Sequence, residues 1–290
     1  MRRSIILIYS AALLLHALGP RLAAAEEPAP PPPVTALRRT LEAAGGMDAF
    51  RRLAAVKIEV DREEITLDGK HTQTKMIFYV RPPGPVPGRV EIPASRVIAG
   101  DDGTGGWAQI GERADPRASA PIMIRRVITT DLFPILLPFS LTWEGVTVTA
   151  VRPAAIDGRA VWQLRVEMSR TFFHTPQIAN EWLVSVDRET FELVRAESPF
   201  TDLGRGLVAD GMRFFWDSTQ TVEGVRLPAI QKVIGLNATG SETAHTRSDR
   251  VTVTRIKADE AAPLFTNPSP SSQPQLPILQ PPPGLGKGQG

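Results

Sequence analysis

The sequence contains no cysteine and only four histidines among its 290 residues. The missing cysteines exclude a disulfide framework and a thiol nucleophile, so the apolar core must hold the fold alone. A domain of more than about 200 residues can bury enough apolar surface to do so.

Recognisable catalytic motifs are lacking as well. No Gly-x-Ser-x-Gly segment is present, which disfavours a serine hydrolase. After the N-terminal segment the histidines are His71, His174 and His245, and their wide spacing disfavours a metal site. The glycine-rich stretch 100–106 lacks the Lys-Ser/Thr end of a phosphate-binding loop and indicates a hairpin turn. We therefore expect no enzymatic activity, no metal and no cofactor.

The first 25 residues have the pattern of a secretory signal peptide. Arg2 and Arg3 precede an apolar run that ends near Leu18, and alanines 23–25 supply the small residues of a cleavage site. The apolar run is shorter than the roughly 20 residues of a membrane span. We expect cleavage after Ala25 and no stable membrane span in the mature protein.

Both flanks of the remaining chain are rich in proline. Residues 26–34 have the Ala/Pro composition of an extended linker, and residues 269–290 have the Pro/Gly-rich composition of a disordered tail. Residues 35–268 are left as one domain of ordinary size.

The charge of the mature chain is nearly balanced. The whole chain has 33 Lys and Arg against 31 Asp and Glu, and loss of Arg2, Arg3 and Arg21 with the signal leaves 30 against 31. A net charge of −1 creates no field that would gather nucleic acid, so we expect no nucleic-acid partner.

Most of the domain has the two-residue period of β-strands. Val56, Ile58 and Val60 alternate with charged residues, and about ten or eleven such strands follow one another between turn signals, which predicts an antiparallel sheet. The last of them is predicted to begin at Arg250. Before the first strand, Thr35 is the predicted N-cap of a short helix that Gly45 and Gly46 end.

Residues 118–141 interrupt this rhythm. Their apolar side chains are too dense and the segment is too long for a strand, so we predict a helix that prolines 134 and 138 kink or end. Arg125, Arg126 and Asp131 exclude a membrane span and are predicted to form a narrow solvent-facing strip. The rest of the helix must cover an apolar surface.

Several segments in order resemble the outer-membrane lipoprotein-sorting proteins of the LolA/LolB-like superfamily. They are the helical opening 41–53, the glycine-rich hairpin 101–107, the strand–turn–strand 184–195, the turn 222–228 and the closing Leu264-Phe265. The resemblance implies an α+β, mainly β fold: a strongly curved antiparallel half-barrel covered by helices. It also implies a periplasmic location and an apolar cavity for acyl chains, with residues 118–141 as a lid.

The resemblance makes a periplasmic binding protein for lipid or lipoprotein acyl chains the first hypothesis. A sensory or protein-interaction domain on the same fold, with a partner protein in the cell envelope, is the alternative. In either case we expect a monomer. The predicted ligand-binding residues are the apolar side chains at alternate strand positions and on the lid: Trp162, Leu164, Val166, Trp182, Val184, Phe214, Trp216, Ile122, Leu132, Phe133 and Leu136. Two interpretations of these residues stay open, since they either line a cavity or fill an ordinary packed core.

Overall fold

The computed structural model describes residues 28–115, 120–169, 172–173, 181–199 and 211–266. The chain divides into Met1–Pro30 and Pro31–Gly290, and the fold described below belongs to the second unit. The predicted signal peptide, most of the predicted linker and the predicted tail lie outside the described residues. The helices are α1 (Pro33–Ala43), α2 (Met47–Arg51), α3 (Ala120–Ile135) and α4 (Ala258–Ala261), with 3₁₀ turns at Pro93–Ser95, Phe139–Thr142 and Ala262–Phe265.

Thirteen strands of the described chain form one sheet. They are β1 (Ala55–Ile65), β2 (His71–Val80), β3 (Gly88–Ile92), β4 (Val97–Asp101), β5 (Gly106–Ile110), β6 (Arg113–Ala114), β7 (Val146–Ile156), β8 (Arg159–Met168), β9 (Glu181–Asp187), β10 (Leu193–Pro199), β11 (Gly211–Val222), β12 (Val225–Leu236) and β13 (Glu242–Ile256).

All neighbouring strands pair antiparallel, in the order β6-β5-β4-β3-β2-β1-β13-β12-β11-β10-β9-β8-β7. Two meanders, β1–β6 and β7–β13, are therefore joined where the first strand pairs with the last. In that pairing Ile58 is opposite Val253 and Arg62 is opposite Asp249. The prediction of an antiparallel, mainly β fold is confirmed.

The sheet curves around α3 and is not closed. This 16-residue helix is about 24 Å long and packs against β4 and β5. Phe133 near its end also contacts Trp182 on β9, with 4.8 Å between ring centroids. In a flat sheet β5 and β9 would lie about 40 Å apart, at about 4.8 Å per strand. The helix can reach both only because the sheet wraps around it as a half-barrel.

The N-terminal helix differs from its predicted start. It begins at Pro33 with Pro32 in the N-cap position and has no side-chain cap, so the predicted N-cap Thr35 lies inside the first turn. A proline at the first helical position is preorganised for this start. The helix ends as predicted: Gly45 has a φ of +104°, and a Cβ there would lie 2.1 Å from the carbonyl oxygen of Gly224. The backbone amide of Arg226 donates to the Ala44 carbonyl at 2.9 Å, which fixes α1 to the start of β12.

The largest difference in strand length is at β13. The sequence predicts a strand from Arg250, whereas the structure extends it back to Glu242. The added residues pair with β1 and β12. They bring His245, Arg247 and Asp249 onto the face of the sheet that α3 covers.

Candidate ligand-binding site

The face of the sheet toward α3 carries an apolar wall on β8 and β9. Its members are the alternate, cross-strand paired residues Trp162, Leu164, Val166, Trp182 and Val184. All five are at most 4% exposed. Phe214 on β11 extends the wall, and its ring stacks on that of Trp182 at 5.1 Å. Trp216 is half-buried against the same core.

The wall is covered by residues 120–143, here called the covering segment, which contain α3 and the turn that follows it. Leu132, Phe133 and Leu136 are fully buried. The Phe133 ring meets those of Trp143, Phe172, Phe173 and Trp182 edge to face, at centroid distances of 4.8 to 6.0 Å. The helix ends one residue after Pro134, as the sequence predicts. In this closed arrangement the covering segment fills the space in front of the wall.

One predicted member does not reach the wall. The Ile122 side chain is 56% exposed, because it lies two residues before Ile124 and hence about 200° around the helix from it. Ile124, Ile128 and Leu132 form the buried stripe instead. The other ten predicted residues come together on the inner face, and their role in ligand binding stays a prediction.

The predicted solvent-facing strip of α3 is wrong for two of its three members. Asp131 accepts a hydrogen bond from Nη2 of Arg62 at 2.8 Å, and Arg125 forms an ion pair with the buried Asp101 on β4. Both charges therefore face the sheet. They link the covering segment to strands on either side of β2 and β3.

A row of polar side chains crosses the inner face beside the apolar residues. Gln231, Asp249 and Arg62, here called the polar row, are opposite one another on β12, β13 and β1. Nε and Nη2 of Arg62 donate to the two Asp249 oxygens at 2.9 and 3.1 Å. Asp249 has no exposed surface, and Nε of Arg247 lies 3.2 Å from its Oδ2. Two arginines thus share one fully buried carboxylate, which compensates for its loss of hydration.

The charges of this cluster shift one another's protonation. Burial opposes the charge of Arg62, but Asp131 and Asp249 outweigh it and raise the pKa of Arg62 above its ordinary value. Burial, together with the nearby charge of Arg62, lowers the pKa of Arg247. The hydrogen bond between Glu64 and Nε2 of His245, at 2.8 Å, holds the pKa of Glu64 below its usual value. Glu64 is therefore ionised at neutral pH.

Several polar atoms on the inner face have no hydrogen-bond partner among the described residues, among them the indole Nε1 of Trp182 and Nδ1 of His245. Gln231 is fully buried, and neither its Oε1 nor its Nε2 is bonded; the indole Nε1 of Trp216 is also unbonded. Trp216 is directly opposite Gln231 on the neighbouring strand. Buried side-chain polar groups in native proteins usually have partners, so this pair is a candidate for contact with a ligand.

A cavity of about 300 Å³ opens beside Trp216. It lies between the end of α1, the covering segment at Leu137 and Pro138, and strands β10–β12. Its rim is charged, with Arg226 Nη1 at 2.5 Å from Glu192 Oε1, while Leu137, Leu193 and Leu227 make parts of its lining apolar. The cavity connects the surface with the indole that borders Gln231.

The polar row was not predicted from the sequence. A signal was present on β1, because Arg62 and Glu64 continue the even-numbered series of buried residues that begins at Val56. On β13 the odd-numbered Arg247 and Asp249 precede the buried Val251 and Val253 in the same way. Charged residues in such a series indicate an inner-face polar cluster when two strands carry it in register.

The described residues show two further absences. They contain no group of three or more His, Asp or Glu side chains arranged to hold a metal ion. None of their helices is long and apolar enough to cross a membrane.

Comparison with solved structures finds several that are similar to this chain. A LolA superfamily protein from Nitrosomonas europaea has a TM-score of 0.54 and 15% sequence identity, over 79% of this chain and 96% of that one. An outer membrane lipoprotein-sorting protein domain from Vibrio parahaemolyticus has a TM-score of 0.49 and 9% identity, over 81% and 100%. A DUF1329 family protein from Desulfovibrio piger has a TM-score of 0.47 and 13% identity, over 77% and 93%.

Comparison of the sequence with family models gives no match, and comparison with curated proteins gives none either. The likeness therefore rests on the arrangement of the backbone, which in this chain is one curved, open antiparallel sheet with a helical segment on its inner face. On this evidence the protein has the LolA-like half-barrel fold.

Proposed function

We propose that this protein binds acyl chains of lipid or lipoprotein against the inner face of its half-barrel, and that it does so in the periplasm without catalysis. The observation that supports this proposal most directly is the structure of the covering segment. The apolar wall faces the helix and turn of residues 120–143, with Phe173 stacked on Trp182 beside them, rather than a second sheet. The ion pairs of Asp131 and Arg125 link residues 120–143 to the sheet.

A cover of this kind can exchange its apolar contacts for those of a ligand. Leu132, Phe133 and Leu136 occupy the wall in the closed arrangement, and an acyl chain would replace them with surface of the same character. Burial of an acyl chain is favourable by about 0.8 kcal/mol per CH₂. That gain offsets the loss of the aromatic contacts around Phe133 when the segment moves aside.

The periplasmic location rests on the predicted signal peptide, residues 1–25. Export would place a cysteine-free domain in an oxidising compartment, where the lack of thiols is harmless. Intact-mass measurement of the protein recovered from the cell envelope tests this part: a mature form that begins at Glu26 supports it, and a form that retains Arg2 and Arg3 contradicts it.

Acyl binding is tested by quenching of tryptophan fluorescence with the methyl ester of a brominated fatty acid, because bromine quenches an indole only at close range. Trp182 belongs to the wall. Trp107 provides the matched control, since it is opposite Gly100 on β4 and its ring lies against that glycine on the outer face. We expect saturable quenching in the wild type, reduced in Trp182→Phe and unchanged in Trp107→Phe.

Mass spectrometry of organic extracts from the purified protein is the second measurement, and a binding protein should retain lipid. No retained lipid together with no saturable quenching would contradict the proposal and favour the protein-interaction domain. Equal loss of quenching in the two variants would place the acyl chain away from the inner face.

A further inference from the structure

We propose that Gln231 and Trp216 form a polar subsite that selects acyl chains attached through an amide. This inference rests on the proposed function and adds the chemical class of the ligand. Gln231 is fully buried, and its carboxamide has no hydrogen-bond partner among the described residues. A buried, unbonded amide destabilises the protein that carries it, so a ligand that bonds it gains from the contact.

The donors and acceptors of the subsite define the complementary group. The carboxamide of Gln231 offers an N–H donor and a carbonyl acceptor, and the indole of Trp216 offers a second donor. A secondary amide matches this set, because its carbonyl oxygen accepts two hydrogen bonds and its N–H donates one. An ester supplies only acceptors, which leaves the Gln231 oxygen unbonded.

The surrounding charges disfavour a free carboxylate. Asp249 is directly opposite Gln231 and is fully buried. Its charge and that of Asp131 are matched by Arg62 and Arg247, while Glu64, whose pKa is lowered, adds a further negative charge. The carboxylate of a fatty acid would enter a cluster in which Arg62 and Arg247 already face Asp131 and Asp249.

The cavity beside Trp216 provides the route to the subsite. Trp216 lines this cavity of about 300 Å³ and is the cross-strand neighbour of Gln231. A ligand head group that enters from the rim meets the indole first and Gln231 next. Its acyl chain can then extend along the wall toward Phe214 and Trp182.

Three probes of equal chain length separate these chemistries: N-dodecanoyl ethanolamine, methyl dodecanoate and dodecanoic acid. Their affinities for the lipid-depleted mature protein are measured by titration calorimetry at neutral pH. We expect the amide to bind about tenfold more tightly than the ester, as the one hydrogen bond that the ester cannot donate would give, and the acid to bind most weakly. In Gln231→Met the preference for the amide should disappear.

The same variant has a stability readout that needs no ligand. Gln231→Met removes an unbonded amide, so the denaturation midpoint of the ligand-free protein should rise. Gln163→Met is the matched control: Gln163 is equally a buried strand glutamine, but its Oε1 accepts a hydrogen bond from Arg152 at 2.7 Å, and its loss should lower the midpoint. Gln231→Leu replaces Gln231→Met if the latter does not fold.

The outcomes distinguish failure of the amide subsite from failure of acyl binding itself. Equal binding of all three probes leaves acyl binding intact and overturns the amide subsite alone. Failure of every probe to bind overturns the proposed function and this inference with it. An unchanged or lowered midpoint in both Gln231 variants means that the amide is already bonded, for instance by buried water, and also overturns the subsite.

Discussion

The inner face of the half-barrel contains two regions that are stabilised by different interactions. The wall on β8 and β9 packs apolar side chains against the covering segment, and its contacts are non-directional. In the polar row on β12, β13 and β1, each buried polar or charged side chain requires a hydrogen-bond or ion-pair partner in the right geometry. Asp249 and Arg62 meet this condition, but Gln231 does not. Under the proposed function, the wall would hold the acyl chain and Gln231 of the polar row would select its head group.

The largest loss of stability is expected from substitution of Asp249 in the polar row. Asp249→Ala leaves Arg62 and Arg247 buried without their shared carboxylate, and removal of one partner from a buried ion pair costs about 3–5 kcal/mol. We expect the upper part of that range, because two arginines depend on this group. Urea denaturation measures the loss. Asp217→Ala is the control, since Asp217 pairs with Lys232 at the surface and an exposed pair contributes about 1 kcal/mol or less.

In the apolar region, substitution of Phe133 should lower the free energy of unfolding by nearly as much, but independently of pH. Phe133→Ala removes a fully buried ring with four aromatic neighbours and should cost about 3–5 kcal/mol in the ligand-free protein. No charge changes, so we expect the same difference from the wild type at pH 4 and pH 7. A much smaller loss would show that the covering segment is loosely packed in solution. A difference that varies with pH would mean that the mutation disturbs the Asp131–Arg62 link.

The smallest loss of stability is expected from substitution of Glu64, and unlike the loss for Phe133→Ala it should depend on pH. Its pKa is lowered in the folded protein, so its bond to His245 contributes stability above the unfolded value of 4.5. That contribution is lost as the pH falls through the lower folded pKa. Glu64→Gln should therefore cost less than about 1 kcal/mol at pH 7, since Glu64 is partly exposed.

The cost of Glu64→Gln should vanish in acid. Melts of wild type and variant between pH 3 and 7 measure this convergence. Glu63→Gln removes the same charge from the opposite face of β1 and serves as the control. A difference for Glu64→Gln that persists unchanged at pH 3 would contradict the assignment of this contact to the ionised carboxylate.

The wall could be predicted from the sequence, and the polar row could not. Trp162, Leu164 and Val166 alternate with polar residues in one short segment, and alternation is a local property that fixes which side chains share a face. Arg62 and Asp249 are 187 residues apart. Their pairing follows from the joining of the first strand to the last, and no local pattern reports it.

The length of β13 shows the same limit. Residues 242–249 are polar and charged, and such a composition is more typical of a loop than of a buried strand. They are nevertheless paired in the sheet, with Asp249 fully buried and the Arg247 side chain only 9% exposed. The partners that make their burial possible come from β1 and α3. On α3, likewise, the helical pattern identifies an apolar stripe but does not reveal that Arg125 and Asp131 face the sheet.

The sequence is sufficient to predict the antiparallel, mainly β class, the apolar alternation of the wall and the position of the covering helix, because strand and helix periods are local properties. The tertiary structure alone decided which charges meet inside the half-barrel and that Gln231 is buried without a partner among the described residues. The reason is physical: a polar side chain carries no local sign of burial, since its burial becomes favourable only when distant groups supply its bonds.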